Sequence, residues 1–267
     1  MLAFLLVLSS PARALDPVLE WTLSAAGFSA GGETSVTAGV RQPLWDREGS
    51  LLLNDTYAQA HGVVMVTPAF SRGAVEVAFQ PAAVFELRLG YGLVAYYGTF
   101  SAILPYQDPD AAYDAEAREG RDRTWGWSQR ASIQPTLRAK VGPIAVLGWT
   151  TARWEQVHPA DFQEDLDYWY QPELGLMVAP DDWTLDHNAL VLYDLPVDGP
   201  TVFAGIYGTA RQALGTDDLS ARVGPAVVWQ TPNEHWTFYG IVQPYITSRT
   251  YTEPFPPFLA ARVQYTL

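Results

Sequence analysis

The chain has 267 residues, no cysteine and a formal net charge of -13, and 13% of its residues are aromatic. The high aromatic content and low charge density exclude a disordered chain, and the missing cysteines exclude disulfides and thiolate metal sites. The acidic balance argues against nucleic acid as a partner, because a protein that binds the phosphate backbone needs a basic face.

The first residues of the chain have the features of an export signal. An apolar run over 2–8 is followed by Ser9, Ser10 and Pro11 and then by an A-x-A cleavage site at 12–14. No basic residue precedes the apolar run. We expect a signal peptide at 1–14, cleaved after Ala14, and export of 15–267 as one domain; a buried N-terminal strand or helix is the alternative.

Residues 15–267 alternate between apolar and polar side chains almost throughout, which predicts β-strands rather than helices. In 83–97, Phe85 and Leu89 share one face and Glu86 shares the other with Arg88. Several predicted strands run ~11–15 residues, long enough to cross a bilayer at the tilt of a barrel strand. Turn residues separate them. The candidate strands are 17–28, 33–42, 51–67, 72–81, 83–97, 124–141, 143–157, 167–179, 183–195, 201–212, 218–230, 235–248 and 258–267.

A single-chain bacterial barrel needs an even number of strands, so this odd set contains one error. We predict an all-β fold, a single antiparallel transmembrane β-barrel of twelve strands, with fourteen strands as the alternative. The weakest candidates are 17–28 and 51–67, and the second of these could be split or partly loop.

Alternation alone does not distinguish a membrane barrel from a soluble β protein, which buries its apolar face. Three features favour the membrane barrel: the charges on the polar faces, the aromatic residues near strand ends and the apolar face of the C-terminal stretch. The polar faces carry arginines and carboxylates, while the only lysine of the chain is Lys140. Arginine paired with carboxylates suits a confined lumen, because its planar guanidinium binds both carboxylate oxygens. The charged residues predicted to line the lumen are Glu86, Arg88, Arg130, Arg138, Lys140, Arg153, Glu173, Asp186 and Arg222.

Aromatic residues cluster near predicted strand ends, as they do in the girdles at the two membrane interfaces of barrels. A soluble aromatic core is the alternative, although core aromatics need not lie at strand ends. The residues predicted to lie at the membrane interface are Trp183, Trp229, Trp236 and Tyr265.

Two predicted loops, 98–123 and 158–166, are acidic and long, and we expect them to be extracellular. Asp108, Asp110 and Asp114 are weak candidate ligands for Ca²⁺, but their spacing lacks the glycine and terminal glutamate of a calcium loop. We prefer a solvated acidic rim that attracts cations, and we expect no metal site and no cofactor.

The C-terminal stretch 258–267 presents one apolar face up to its last residue. It resembles the C-terminal signal that outer-membrane barrels present to their assembly machinery, although such barrels usually end in phenylalanine. Residues 15–267 resemble Gram-negative outer-membrane β-barrels as a class, and 67–73, 97–100 and 134–137 resemble an uncharacterised family of them. The resemblance implies an outer-membrane location, with membrane lipid and the assembly machinery as partners, and it supplies no activity.

The predicted function is a passive, porin-like channel for small polar solutes or ions, because a mixed-charge polar face recurs along the strands. A closed barrel with a salt-bridge-plugged lumen and a structural or adhesive role is the first alternative, and a soluble periplasmic β protein is another. Some outer-membrane barrels are lipid hydrolases with a His-x-Ser pattern. None of His61, His158, His187 and His235 has that pattern, so we expect no enzyme. The hydrolase alternative would use His187.

Overall fold

The computed structural model describes residues 15–27, 31–45, 55–99, 103–161, 167–249 and 257–267, and the predicted signal peptide lies outside them. No helix within these ranges is long and apolar enough to cross a membrane. The elements in chain order are β1 (Asp16–Gly27), β2 (Gly31–Pro43), β3 (Tyr57–Val66), β4 (Phe70–Ala82), β5 (Phe85–Tyr96), β6 (Leu104–Tyr106), α1 (Ala115–Arg118), β7 (Gly126–Val141), β8 (Ile144–Pro159), β9 (Tyr168–Gln171), β10 (Leu176–Val178), β11 (Asp181–Leu195), β12 (Thr201–Ala213), β13 (Leu219–Gln230), β14 (Trp236–Gln243), β15 (Tyr245–Thr247) and β16 (Phe258–Thr266).

Twelve long strands of the described residues close into one antiparallel barrel. The first and last strands, β1 and β16, pair with each other, and the ring closes where β12 pairs with β13. Strand β15 continues β14 after Pro244, which has no N–H to give to the ladder, and both pieces pair with β13. The prediction of an all-β barrel with twelve strands is confirmed, and the fourteen-strand alternative is wrong.

The barrel presents apolar side chains to its surroundings and polar side chains to its interior. On β5, Leu89, Tyr91 and Leu93 are 48%, 53% and 54% exposed, whereas Glu86 is 6% exposed. On the neighbouring β4, Val75 is 66% exposed. A soluble β protein has the opposite arrangement, so the fold is a transmembrane β-barrel of the outer-membrane type. The predicted facing of 83–97 is confirmed.

The connections between strands distinguish two ends of the barrel. The turn end carries the short connections that join β4 to β5, β7 to β8, β11 to β12 and β13 to β14. The loop end carries the two longest connections, one from β5 to β7 and one from β8 to β11. Consecutive barrel strands are antiparallel, so each runs between the two ends in the direction opposite to that of the strand before it.

Both long connections fold back into the barrel from the loop end. Strand β6 of the first connection joins the β9–β10 hairpin of the second in a three-stranded sheet. This sheet has an apolar core in which Trp169 is 1% exposed and Leu104 and Leu176 are 0% exposed. The ring of Tyr96, at the loop end of β5, meets the Trp169 ring edge-on with centroids 5.4 Å apart. We call residues 103–113 and 168–178 the plug.

The plug explains the odd number of predicted strands. The candidate 167–179 is wrong as a barrel strand, because it forms the β9–β10 hairpin, whose turn includes Gly175 at φ +69°. The two candidates with the weakest patterns both contain barrel strands, β1 and β3, and the second begins only at Tyr57.

The prediction that 98–123 forms a solvated rim is wrong for part of that loop. Tyr106 and Tyr113 are buried in the plug, together with Leu104. The side chain of Asp110 remains exposed. This connection therefore combines a buried apolar segment with exposed acidic side chains such as that of Asp110.

Candidate functional site

Charged side chains tie the tip of the plug to the barrel wall. Glu173 lies in the turn between β9 and β10, with Oε2 2.7 Å from Arg130 Nη1 and Oε1 3.2 Å from Arg153 Nη2. Arg130 also pairs with Glu155, at 3.1 Å from Nη2 to Oε2. Burial alone would raise the pKa of the Glu173 carboxyl, but the guanidinium groups of Arg130 and Arg153 outweigh burial and hold that pKa well below its usual range. The tip is therefore held by a charged carboxylate.

The backbone of the plug is also bonded to the wall. Arg211 on β12 donates from Nη1 to the carbonyl oxygens of Glu173 and Leu174, at 3.2 Å each. Asp218, just before β13, accepts from the Met177 backbone N–H at 2.7 Å. These bonds satisfy plug groups that would otherwise be buried without partners, so they fix the plug in one position.

A second charged cluster covers the wall formed by β4, β5 and β7. Glu86 lies 3.1 Å from Arg88 Nη2 and 3.4 Å from Arg138 Nη2. Glu76 lies 2.6 Å from Arg72 Nη2 and 3.7 Å from Arg88 Nη1. Here, too, the positive groups are neutralised by neighbouring carboxylates.

Two further residues of the predicted lumen set have ion-pair partners elsewhere. Lys140 Nζ is 2.7 Å from Asp194 Oδ2 near the turn end, where the lysine side chain is largely exposed. Asp186 Oδ2 is 3.5 Å from Arg211 Nε. Thus eight of the nine predicted residues are ion-paired, and Glu173 belongs to the plug rather than to a barrel strand. Arg222 is the ninth.

A cavity of about 670 Å³ lies in the lumen beside the plug tip. Residues of β1, β2 and β12–β16 form much of its wall, on the side away from the second charged cluster. Arg211, Arg222 and Arg262 line it, together with the carboxylates of Glu33 and Glu173. This cavity gives the interior of the barrel room for a small molecule, so it is the candidate functional site.

Arg222 reaches this cavity from an irregular point of the wall. The register of β13 against β15 shifts between Ala221 and Arg222, next to the interruption at Pro244. Such bulges bend a strand and change the direction in which its side chains point. Arg222 is 9% exposed, and its guanidinium carbon lies 3.8 Å from the centre of the Phe258 ring. No acidic side chain of the described ranges lies within 4.0 Å of it.

The four predicted interface aromatics lie at strand ends, three of them at one end. Trp229, Trp236 and Tyr265 are at the turn end, and the last two are in contact with ring centroids 4.9 Å apart. Trp183 is at the loop end of β11 and is 46% exposed. This distribution agrees with two aromatic girdles, and contact with lipid headgroups stays a prediction.

The weak metal candidates have other partners in the structure. Asp108 Oδ1 accepts from the Asp110 backbone N–H at 2.9 Å, and Asp114 Oδ1 caps α1 by accepting from the Ala117 backbone N–H at 2.8 Å. Within the described residues, no group of three metal-ligating side chains occurs. These contacts give the carboxylates of Asp108 and Asp114 a local structural role, and the Asp110 carboxylate lies 3.8 Å from Arg249 Nη1.

His187 lies on the outer surface of the barrel rather than in the lumen. Its Nδ1 is 2.9 Å from the hydroxyl of Thr150 on β8, and the side chain is exposed. Among the described residues, no carboxylate makes an ion pair with His187. The arrangement lacks the third group that orients the histidine of a hydrolase triad.

The predicted lumen set omitted several partners that the structure reveals. Glu155 lies two residues beyond Arg153, so strand alternation places both on the same face and was sufficient to include it. Arg211 likewise faces the lumen from β12. The fixed role of Arg211 could not be predicted, because its partners are backbone atoms of the plug.

The chain path is similar to those of two solved porins and of an autotransporter beta domain, each at low sequence identity. The KdgM porin in complex with disordered oligogalacturonate has a TM-score of 0.43 and 9% identity, over 94% of this chain and 99% of that chain. The beta domain of the Bordetella autotransporter Brka has a TM-score of 0.47 and 14% identity, over 95% and 99%. The NanC porin has a TM-score of 0.44 and 10% identity, over 93% and 100%. No family model and no curated protein sequence matches the chain.

Proposed function

We propose that this barrel is an outer-membrane channel for small polar solutes or ions, and that its path runs through the cavity beside the plug. The observation that carries the proposal is the cavity of about 670 Å³ on the side of β12–β16, beside the tip of the plug. The outward apolar surface supports a location in a bilayer, and an even-stranded single-chain barrel is typical of outer membranes.

The charges along the path favour anions. Arg211, Arg222 and Arg262 line the cavity, and of its two carboxylates Glu173 is already bonded to Arg130 and Arg153. Rings or clusters of basic side chains at a constriction favour anion passage. Because the acidic loops attract cations to the rim, we expect the preference for anions to be modest.

Single-channel recording in planar bilayers tests the proposal. The folded protein, identified by the shift in its gel mobility on heating, should give discrete current steps. In a salt gradient, the reversal potential should have the sign of a channel that prefers anions. A correctly folded protein that gives no current contradicts the proposal, and a preference for cations contradicts the path past the three arginines.

The second candidate function is a closed barrel with a structural or adhesive role. The tightly packed plug core favours it, since Trp169 and Leu176 are at most 1% exposed. Ion-paired clusters on the remaining wall are consistent with a lumen that transports nothing. This candidate predicts silent bilayers for the wild type and current only after the plug is removed.

A further inference from the structure

Arg222 differs from the other two arginines of the cavity in having no carboxylate partner among the described residues. Arg211 pairs with Asp186 and donates to two plug carbonyls, while Arg262 Nη2 lies 3.6 Å from Glu20 Oε1. The Arg222 guanidinium lies 3.8 Å from the ring centre of Phe258 and 6.0 Å from that of Tyr245, and it shares a side-chain hydrogen bond with Tyr245.

A buried guanidinium in such surroundings is a strong site for an anion. Burying a charge is unfavourable unless an opposite charge or several hydrogen bonds accompany it. Arg211 adds positive potential, because it projects from β12 at a position diagonal to Arg222 in the β12–β13 register. The guanidinium plane has paired N–H groups that match the two oxygens of a carboxylate.

The rest of the cavity wall indicates the chemical nature of the molecule that carries the anionic group. Trp149 and Tyr207 line the cavity and stack on each other with centroids 5.9 Å apart and planes 20° apart. Tyr239 adds another ring to the wall. Cavities of ~300–1,000 Å³ with aromatic walls and a few polar groups hold small organic molecules.

We infer that Arg222 anchors a binding site for small carboxylates that carry a ring, with the carboxylate on the guanidinium and the ring against the aromatic wall. The site lies on the proposed conduction path, so this inference rests on the proposed function and names the class of solute that the channel selects. An aromatic acid and a sugar acid share this chemistry, and the experiment distinguishes them.

Calorimetric titration of the folded protein in detergent tests the inference without requiring current. Benzoate and glucuronate serve as the aromatic and the sugar probe, with benzamide and glucose as their uncharged counterparts. We expect at least one acid to bind tenfold or more tightly than its uncharged counterpart. The inference is overturned if each uncharged compound binds as tightly as its acid, or if neither acid binds.

Two variants locate the binding to Arg222. We expect Arg222→Gln to weaken binding of the acid by tenfold or more and Arg222→Lys to weaken it less, because lysine keeps the charge and loses the planar fork. The matched control is Arg262→Gln, which removes an arginine that already has Glu20 as a partner. Equal losses in Arg222→Gln and Arg262→Gln would show that only the general positive potential attracts the acid, which contradicts the site.

The outcomes of the titration and of the bilayer recording separate the two claims. Binding that depends on Arg222 in a protein without current contradicts the channel and supports the site. Current steps without binding of either acid support the channel and contradict the site. If the Arg222 variants fail to fold, the comparison of acid with uncharged counterpart on the wild type still decides the inference.

Discussion

Glu173 is the residue on which the position of the plug tip depends most. Its carboxylate is shared by Arg130 and Arg153, so its removal leaves two buried positive charges without this partner. Breaking a buried ion pair in this way costs ~3–5 kcal/mol. We predict that Glu173→Gln loosens the plug and gives larger, noisier current steps, whereas Glu116→Gln on the exposed face of α1 leaves the steps unchanged. Identical recordings from both variants would contradict this role.

The ionisation of the Glu173 carboxylate determines how the plug should respond to acid. The pKa of Glu173 is held below its ordinary value of 4.5, so its stabilising contribution is complete above about pH 4.5 and is lost as the pH falls below that value. We expect conductance to rise as the pH falls below about 4.5. In Glu173→Gln the rise should be smaller. An equal rise in the wild type and in Glu173→Gln would contradict this explanation.

The plug is the element that the structure adds to the predicted barrel, and Trp169 is the centre of its core. Truncating a buried tryptophan to alanine usually costs ~3–5 kcal/mol. We predict that Trp169→Ala makes the loop-end connections sensitive to proteases while the barrel itself stays folded. Trp125→Ala is the control, because Trp125 is 63% exposed at the loop end. Equal protease resistance in both variants would show that Trp169 does not hold the plug.

At the scale of elements, alternation predicted the barrel strands because their two faces meet different surroundings. On β5, Leu89 and Leu93 contact the outside while Glu86 faces the lumen, and a period of two follows directly. The segment 167–179 has a similar pattern, but seven of its thirteen residues are buried within the plug. Alternation does not reveal whether an apolar side chain contacts lipid or another loop. Pro172 and Gly175 were the available signs of a turn in that segment.

The candidate site was predictable only in part, for a related reason. Strand alternation places Arg130, Arg138 and Arg222 on the polar faces of their strands without any knowledge of the fold. It cannot show which arginine has which carboxylate partner, because Glu173, one of the two partners of Arg130, belongs to a loop that returns from another part of the chain. Arg222 also lies at a register shift beside Pro244. In the sequence, the proline is the only sign of this irregularity.

For the whole molecule, the outward apolar surface predicts a strong dependence on depth in the membrane. A basic residue on the lipid face costs ~2–4 kcal/mol at the midplane and ~0–1 near the interface. We predict that Val75→Arg, in the middle of β4, destabilises the barrel strongly. Val141→Arg, at the turn end of β7, should destabilise it only slightly. Both valines are exposed, so a protein surrounded by water would tolerate both changes. The midpoint of unfolding in lipid bilayers measures the difference.

We place the open path beside the plug, on the side of β12–β16. Because the chain has no cysteine, a single introduced cysteine can test this placement directly. Ser24 lines the cavity, whereas Ser132 lies opposite Gly90 on the wall of the paired charges. Each serine is replaced by cysteine, and a negatively charged thiosulfonate is added during single-channel recording. We predict that the reagent reduces the current of Ser24→Cys, with no effect on Ser132→Cys or the wild type. Reduction for Ser132→Cys alone, or for neither variant, would contradict the claim.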